Sequence, residues 1–174
     1  MFFKFDELAL TIAQLTPSIV VVTETWFTSS MKNSLFYLNN YSLFRDDRFG
    51  RPGGGVAVWI SDHLSPTLLD FPFGKPVCME CIWLLVNRDT LVGACYIPPS
   101  HSATDCELIV DYFIDCIDEL KAKLPNAHVM LCGDFNRFDC SRLTTAHTLL
   151  NMVHAPTRGD ATLDLILLDE ILHN

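Results

Sequence analysis

Leu131 to Asn136 reads LCGDFN, which sets a carboxylate and a carboxamide two residues apart directly after an apolar run. Those two groups are the usual means of moving a proton, holding a cation or hydrogen-bonding an oxyanion. Along an extended strand, residues i and i+2 project to the same side, so the spacing predicts that Asp134 and Asn136 reach one shared substrate group. Three more polar residues break apolar runs in the same way: Glu24 in SIVVVTETW, Tyr96 in TLVGACYI and Asp164 in TLDLILL. A carboxylate buried at such a place costs several kcal/mol unless it is paired, hydrogen-bonded or bound to metal. Each of the five is therefore a candidate for function.

The elements that must position them follow from periodicity. Phe5, Leu8, Ile12 and Leu15 recur at helical spacing ahead of Pro17, which predicts a helix from Lys4 to Leu15. SIVVVTETW is β-branched and unbroken up to Thr23, the pattern of an interior strand whose far end presents Glu24. In RFGRPGGGVAVWI the glycines Gly53 to Gly55 precede the β-rich run Val56 to Ile60, so they read as turn and strand entry. A phosphate-cradling loop has the opposite order, from strand to helix. VCMECIWLLV and TLVGACYI, separated by Asn87, Arg88 and Asp89, predict a hairpin that stops at IPPS.

Thr104 with Glu107 is a capping-box pattern. It opens a helix whose apolar face is Leu108, Ile109, Tyr112, Phe113, Cys116, Ile117, Leu120 and Leu124, ended by Pro125. HVMLC reads as a strand, CSRLTTAHTLLNM as a short helix with Ser141 as its cap, and TLDLILL as a last strand. Strands joined largely through turns, with helices outside them, predict a single layered α/β domain over residues 1–174.

Composition narrows the class. Of the 174 residues, 49% are hydrophobic and 19% charged, and the apolar runs fall short of the ~20 residues that cross a bilayer. Neither membrane association nor, from the early Asp6 and Glu7, an export signal is expected, which points to an intracellular chain, nuclear or cytoplasmic. Seven scattered cysteines fit free thiols, and the lone Cys78-x-x-Cys81 pair lacks the second pair of a structural zinc site. A net charge of -9 argues against a wide basic nucleic-acid face. It leaves room for phosphate binding through carboxylate-held Mg²⁺ and a local gathering of Arg45, Arg48, Arg51, Arg137 and Arg142.

Taken in order, TETW, GGGVAVWI, ECIWLLV, YIPPS, GDFN and LDLIL resemble the endonuclease/exonuclease/phosphatase superfamily. Their wording is most similar to the apurinic-endonuclease-like domain of non-LTR retrotransposons. The resemblance implies a four-layer αββα sandwich with two mainly antiparallel sheets, and Mg²⁺-dependent phosphodiester hydrolysis on DNA, with Mn²⁺ as an alternative cation. It implies Glu24 as metal ligand, Asp134 orienting or deprotonating water, Asn136 and Tyr96 on the phosphate oxygens, and Asp164 holding a histidine in its working tautomer. A reverse transcriptase domain is expected in the full-length chain.

Three departures qualify the implied activity. The superfamily pattern opens with a strand ending in Asn upstream of Lys4 and closes with Ser-Asp-His, and neither is found here, so the sandwich is expected to be incomplete and catalysis impaired. Ser61-Asp62-His63 follows the wrong strand to serve as that triplet, and His173 is preceded by Leu172. Ile97 stands where many relatives carry Arg. A catalytically dead binding module, or another phosphatase or nuclease of the superfamily, is the alternative expectation.

Overall fold

The computed structural model describes residues 4–169, and His173 lies outside them. Two sheets face each other between helices. The first holds β1 (Ile19–Thr23), β3 (Val56–Ser61) and β2 (Tyr41–Asp46), in that spatial order and all antiparallel. The second runs β4 (Thr67–Leu69), β5 (Glu80–Val86), β6 (Thr90–Tyr96), β7 (His128–Asp134), β9 (Asp164–Asp169) and β8 (Leu149–Asn151). Its pairs are antiparallel except β6 with β7, which are parallel and joined through α2 (Ala103–Lys123). The expected α/β sandwich with two mainly antiparallel sheets is thus observed.

Alternation along the strands builds three cores. Val56, Val58 and Ile60 of the first sheet meet Ile82, Leu84, Val86, Val92, Ala94 and Cys132 of the second. The other face of the first sheet, with Ala57 and Trp59, carries Phe5 and Leu8 of α1 (Phe5–Leu15). The other face of the second, with Trp83, Leu91, Cys95, Ile97, Val129 and Leu131, packs on Ile109, Phe113, Cys116 and Ile117 of α2 and on Leu143 of α3 (Ser141–His147). Cys81 belongs to this core and Cys78 packs at its margin, so the Cys-x-x-Cys pair is taken up by packing.

Several local expectations give way to stronger constraints. The first strand is not an interior one: every residue of β1 is half-buried, and among the described residues it pairs only with β3. Beside it a cleft of about 510 Å³ runs from Ser18 along Ile19 and Val21 to Cys132, Leu165 and Asp164. The cap of α2 is Ser102 with Asp105, whose reciprocal bonds measure 3.1 and 2.8 Å, so Thr104 and Glu107 lie inside the helix. Leu108 on that helix and Leu15 on α1 are exposed rather than core. The helix expected over CSRLTTAHTLLNM stops at His147; Thr148 turns left-handed (φ 52°) and Leu149–Asn151 joins the sheet edge as β8. Asp139 rather than Ser141 bonds the exposed amide at its start. The strands β2 and β4 carry no clear alternation and were not expected.

The turn at Asn87 and Arg88 is of the mirror-image kind that matches strand twist, with φ of 51° and 69°. It fixes the register of β5 on β6, and that register sets the site.

Candidate active site

Because β6 and β7 are parallel, both deliver their carboxyl ends to the same edge of the sheet, while the antiparallel β5 and β9 begin there. Cα register pairs Glu80 with Tyr96, Tyr96 with Asp134 and Asp134 with Asp164, one row across four adjacent strands. Each stands an even number of residues from Ile82, Ala94, Cys132 and Ile166, so the row faces the first sheet rather than α2. Glu24 approaches it from the opposite sheet, one residue beyond β1, in a left-handed conformation (φ 55°) that turns it off the strand line.

The Glu24 carboxylate is held on both oxygens. The Tyr96 hydroxyl donates to Oε1, while Trp26 Nε1–H (2.8 Å) and the Gly54 amide (3.1 Å) donate to Oε2. Burial by itself would raise its pKa. The bonds from Tyr96, Gly54 and Trp26, with the Arg48 charge, outweigh that and hold the carboxyl below its ordinary value. Tyr96 moves the opposite way: burial, then the bond and charge of Glu24, push the phenol far above its ordinary value, so it stays protonated. It is a hydrogen-bond donor at neutral pH and not a base.

Asp134 is 2% exposed. Its Oδ1 accepts the Asn136 amide at 2.8 Å and its Oδ2 lies 3.4 Å from Arg158 Nη2. Burial chiefly, and the neighbouring charges of Asp164 and Glu24, raise its pKa, against the lowering pull of Asn136 N–H and Arg158. Gly133 makes room for this strand end. At φ 139° its missing Cβ would stand 1.9 Å from the Cys95 carbonyl oxygen.

Asn136 is not on the strand with Asp134, as the i, i+2 spacing had suggested. β7 ends at Asp134 and Asn136 sits at φ 50°, folded back so that its amide caps Asp134 and its Nδ2 donates to the Ile97 carbonyl at 2.8 Å. This tight turn, rather than strand spacing, sets Asn136 beside Asp134. Asp164 takes its place in the row, but the histidine partner that the resemblance implies is not there: among the described residues no histidine bonds its carboxylate, and its own amide donates to Thr157 Oγ1. Ser61, Asp62 and His63 lie at the opposite end of β3 from Val56 and the site; Ser61 Oγ bonds His63 Nδ1 at 2.6 Å there.

Two contributors, Glu80 and Arg158, were not singled out from sequence, and Arg48 was expected only as one of five gathered arginines. Glu80, 5% exposed, accepts two bonds from Arg48 (2.7 and 2.8 Å) and one from the Gly55 amide. Its signal was there to read: it is the one carboxylate of a buried strand. Arg48 lies 5.3 Å from the Tyr96 ring centre and against the bare backbone of Gly54. The glycines before β3 therefore do more than turn, since two of their amides bind site carboxylates. Arg158, from a short turn closed by Thr157, Arg158 and Ala161, had no pattern to mark it. The expected gathering of arginines is only partial. Arg45 pairs with Asp47, Arg48 with Glu80 and Arg142 with Glu107 and Asp111, whereas Arg51 and Arg137 are exposed without an ion pair among the described residues.

Whether a divalent cation suits these residues turns on charge and donor type. Among the described residues no group of three or more His, Cys, Asp or Glu side chains is placed to hold a metal. The carboxylates present are hard oxygen donors, and the field of Glu24 and Asp164 that raises Asp134 is the kind a cation relieves. A small cation that keeps most of its waters needs one or two such carboxylates plus substrate oxygens, so the donor types present fit a hard divalent cation.

Comparisons with known proteins agree with this architecture. The sequence pattern of the Endonuclease/Exonuclease/phosphatase family matches residues 3–171. No curated protein matches the chain by sequence. Among solved structures, the mannosyl-6-phosphatase of Bacteroides thetaiotaomicron superposes with a TM-score of 0.68 at 11% identity, over 96% of this chain and 76% of that one. A 3′ phosphatase, NExo, from Neisseria bound to product DNA hairpin gives 0.62 at 13%, over 97% and 82%. An AP endonuclease from Archaeoglobus fulgidus gives 0.58 at 13%, also over 97% and 82%. At these identities the superpositions speak for the fold, and the sequence match, spanning every residue described, speaks for descent: the chain belongs to the endonuclease/exonuclease/phosphatase family.

Proposed function

We propose that the chain is a divalent-metal-dependent phosphodiesterase acting on DNA, the endonuclease of a non-LTR retrotransposon whose longer product also carries a reverse transcriptase. The observation that supports it best is the convergence of Glu24, Tyr96, Asp134 and Asp164 from two sheets onto one end of the sandwich. Bound beside Glu24, Mg²⁺ or Mn²⁺ would supply positive charge to the phosphate oxygens.

The remaining chemistry falls to the protein. Asp134 accepts a proton from water as that oxygen attacks phosphorus, the bond to the leaving oxygen breaks, and the leaving oxygen takes a proton from solvent. The raised pKa of Asp134 suits a base, since its conjugate acid is weaker than an ordinary carboxylic acid. Asn136 has one amide hydrogen committed to Ile97 and one left to offer the phosphate. Tyr96, kept protonated, donates to Glu24 in the resting site and holds that carboxylate in place. Asp164 adds charge behind Asp134.

The test is nicking of supercoiled DNA. Activity that requires Mg²⁺ or Mn²⁺ and vanishes in Glu24→Ala is expected; equal nicking by the variant overturns the assignment. A parallel panel of a sugar phosphate, an inositol phosphate, an RNA and a phospholipid assigns the substrate class if DNA is left intact.

A further inference from the structure

The three tryptophans are placed very differently. Trp59 and Trp83 are 0% and 3% exposed, inside the cores, whereas Trp26 is 49% exposed. Yet Trp26 is tightly fixed. Its backbone is left-handed (φ 59°), its amide donates to the Gly54 carbonyl at 2.9 Å, and its indole N–H donates to Glu24. The benzo edge of its ring lies 3.6 Å from the point where a Cβ on Gly53 would stand, so glycine there lets the backbone pass close beneath it.

Holding a large apolar ring in water, with left-handed backbone at a bulky residue, has no return for the core: Trp26 is not among the buried residues of any of the three clusters. The adjoining loop between β2 and β3, which carries Gly53 and Gly54, exposes a second aromatic, Phe49, at 99%, and Arg51, which has no ion pair among the described residues. Phe49 and Arg51 share a recess with Arg48 and Glu80, which ties this rim to the row of site residues. From Trp26 the path to the reacting atoms is short: Glu24 joins it to Tyr96, and Tyr96 neighbours Asp134 on the next strand, about 4.8 Å away.

We propose that Trp26 is a stacking platform for the nucleobase flanking the scissile linkage, with Phe49 and Arg51 extending it along the strand. This rests on the phosphodiester reading of the site and narrows it to substrates that carry a planar base beside the phosphate. Aromatic rings take any base face to face, and an unpaired arginine beside them takes the next phosphate. The acidic chain as a whole repels nucleic acid, so short-range stacking is a form of affinity that its net charge of -9 does not oppose.

The buried positions of Trp59 and Trp83 make intrinsic fluorescence a direct readout, because ligand-sensitive emission comes from Trp26. The probe is a short 5′-phosphorylated single-stranded oligodeoxynucleotide, compared with an abasic chain of the same length and with mannose 6-phosphate. The base-bearing strand is expected to quench the exposed indole and shield it from acrylamide, and the abasic strand and sugar phosphate are not. Trp26→Leu should weaken binding of the base-bearing strand roughly 5- to 100-fold more than it weakens binding of the abasic one. Trp26→Phe, which loses the bond to Glu24 but keeps a ring, should retain most of the preference. Equal affinity for the two strands, or an unaltered preference in Trp26→Leu, overturns the platform. DNA nicking by the same preparation is scored separately: an active enzyme whose indole ignores bases sinks the stacking assignment alone, and quenching without hydrolysis sinks the catalytic reading alone.

Discussion

The Arg48–Glu80 pair offers the sharpest test of the site's construction. Its side chains are 10% and 6% exposed, and the two nitrogen–oxygen contacts of 2.7 and 2.8 Å form a bidentate fork. Removing one partner strands the other charge away from water, which costs about 3–5 kcal/mol. For a chain of this size each kcal/mol moves Tm by about 2–4 °C, so Glu80→Gln and Arg48→Met should each melt roughly 6–20 °C lower. Replacing both, as Arg48→Met with Glu80→Met, leaves no stranded charge and should recover most of that loss. It should not recover function, because Arg48 also lies on the Tyr96 ring and its charge helps keep Glu24 ionised. Chemical denaturation with a DNA-nicking assay on all four proteins separates the two effects. Single variants that lose less than about 1 kcal/mol, the range of exposed pairs, would refute the reasoning.

Three other outcomes follow from the geometry. Asp134 has a raised pKa in the fold, so its favourable contribution is complete below the ordinary carboxylate range and is lost as pH rises through the raised value. Asp134→Asn should thus be more stable than wild type at neutral pH by thermal melting, while hydrolysis falls by about 100-fold or more; lower stability at neutral pH contradicts the shift. Tyr96→Phe removes a donor that lowers the Glu24 pKa, so the acid limb of a pH–rate profile carried by Glu24 should move to higher pH, with an unmoved limb as the contrary result. Gly133→Ala sets a methyl group against the Cys95 carbonyl and a side chain at φ 139°, and should cost about 3 kcal/mol or more in urea denaturation, whereas a neutral effect would show the strands free to part.

The strands β3, β5, β6 and β7 were plain in the sequence, because their apolar runs are long and nearly unbroken. The sequence also carried the five candidate residues, since a polar group ending an apolar run is conspicuous wherever the fold takes it. What local pattern could not carry was pairing. The β-branched run Ile19–Thr23 reads as interior whether or not a second neighbour lies beside it. Tyr41–Asp46 holds Arg45 and Asp46 within a strand, where their partners Asp47 and Lys75 are known only once the chain has folded. Spacing along an extended strand suggested that Asn136 lies beside Asp134, and it is a left-handed turn that puts it there. Arg158 reaches Asp134 from 24 residues away in a loop without periodicity, so nothing short of tertiary structure could nominate it.

The pairing of Glu80, Tyr96, Asp134 and Asp164 also acts as a proofreading device for the fold. Sliding any one of these strands by a single residue would exchange its polar member for Cys81, Cys95 or Ile97, Gly133 or Phe135, or Leu165, and drive the displaced carboxylate or phenol into the helix-facing core. No misaligned sheet can bury those groups cheaply, so the polar row penalises every wrong alignment of the strands that carry it.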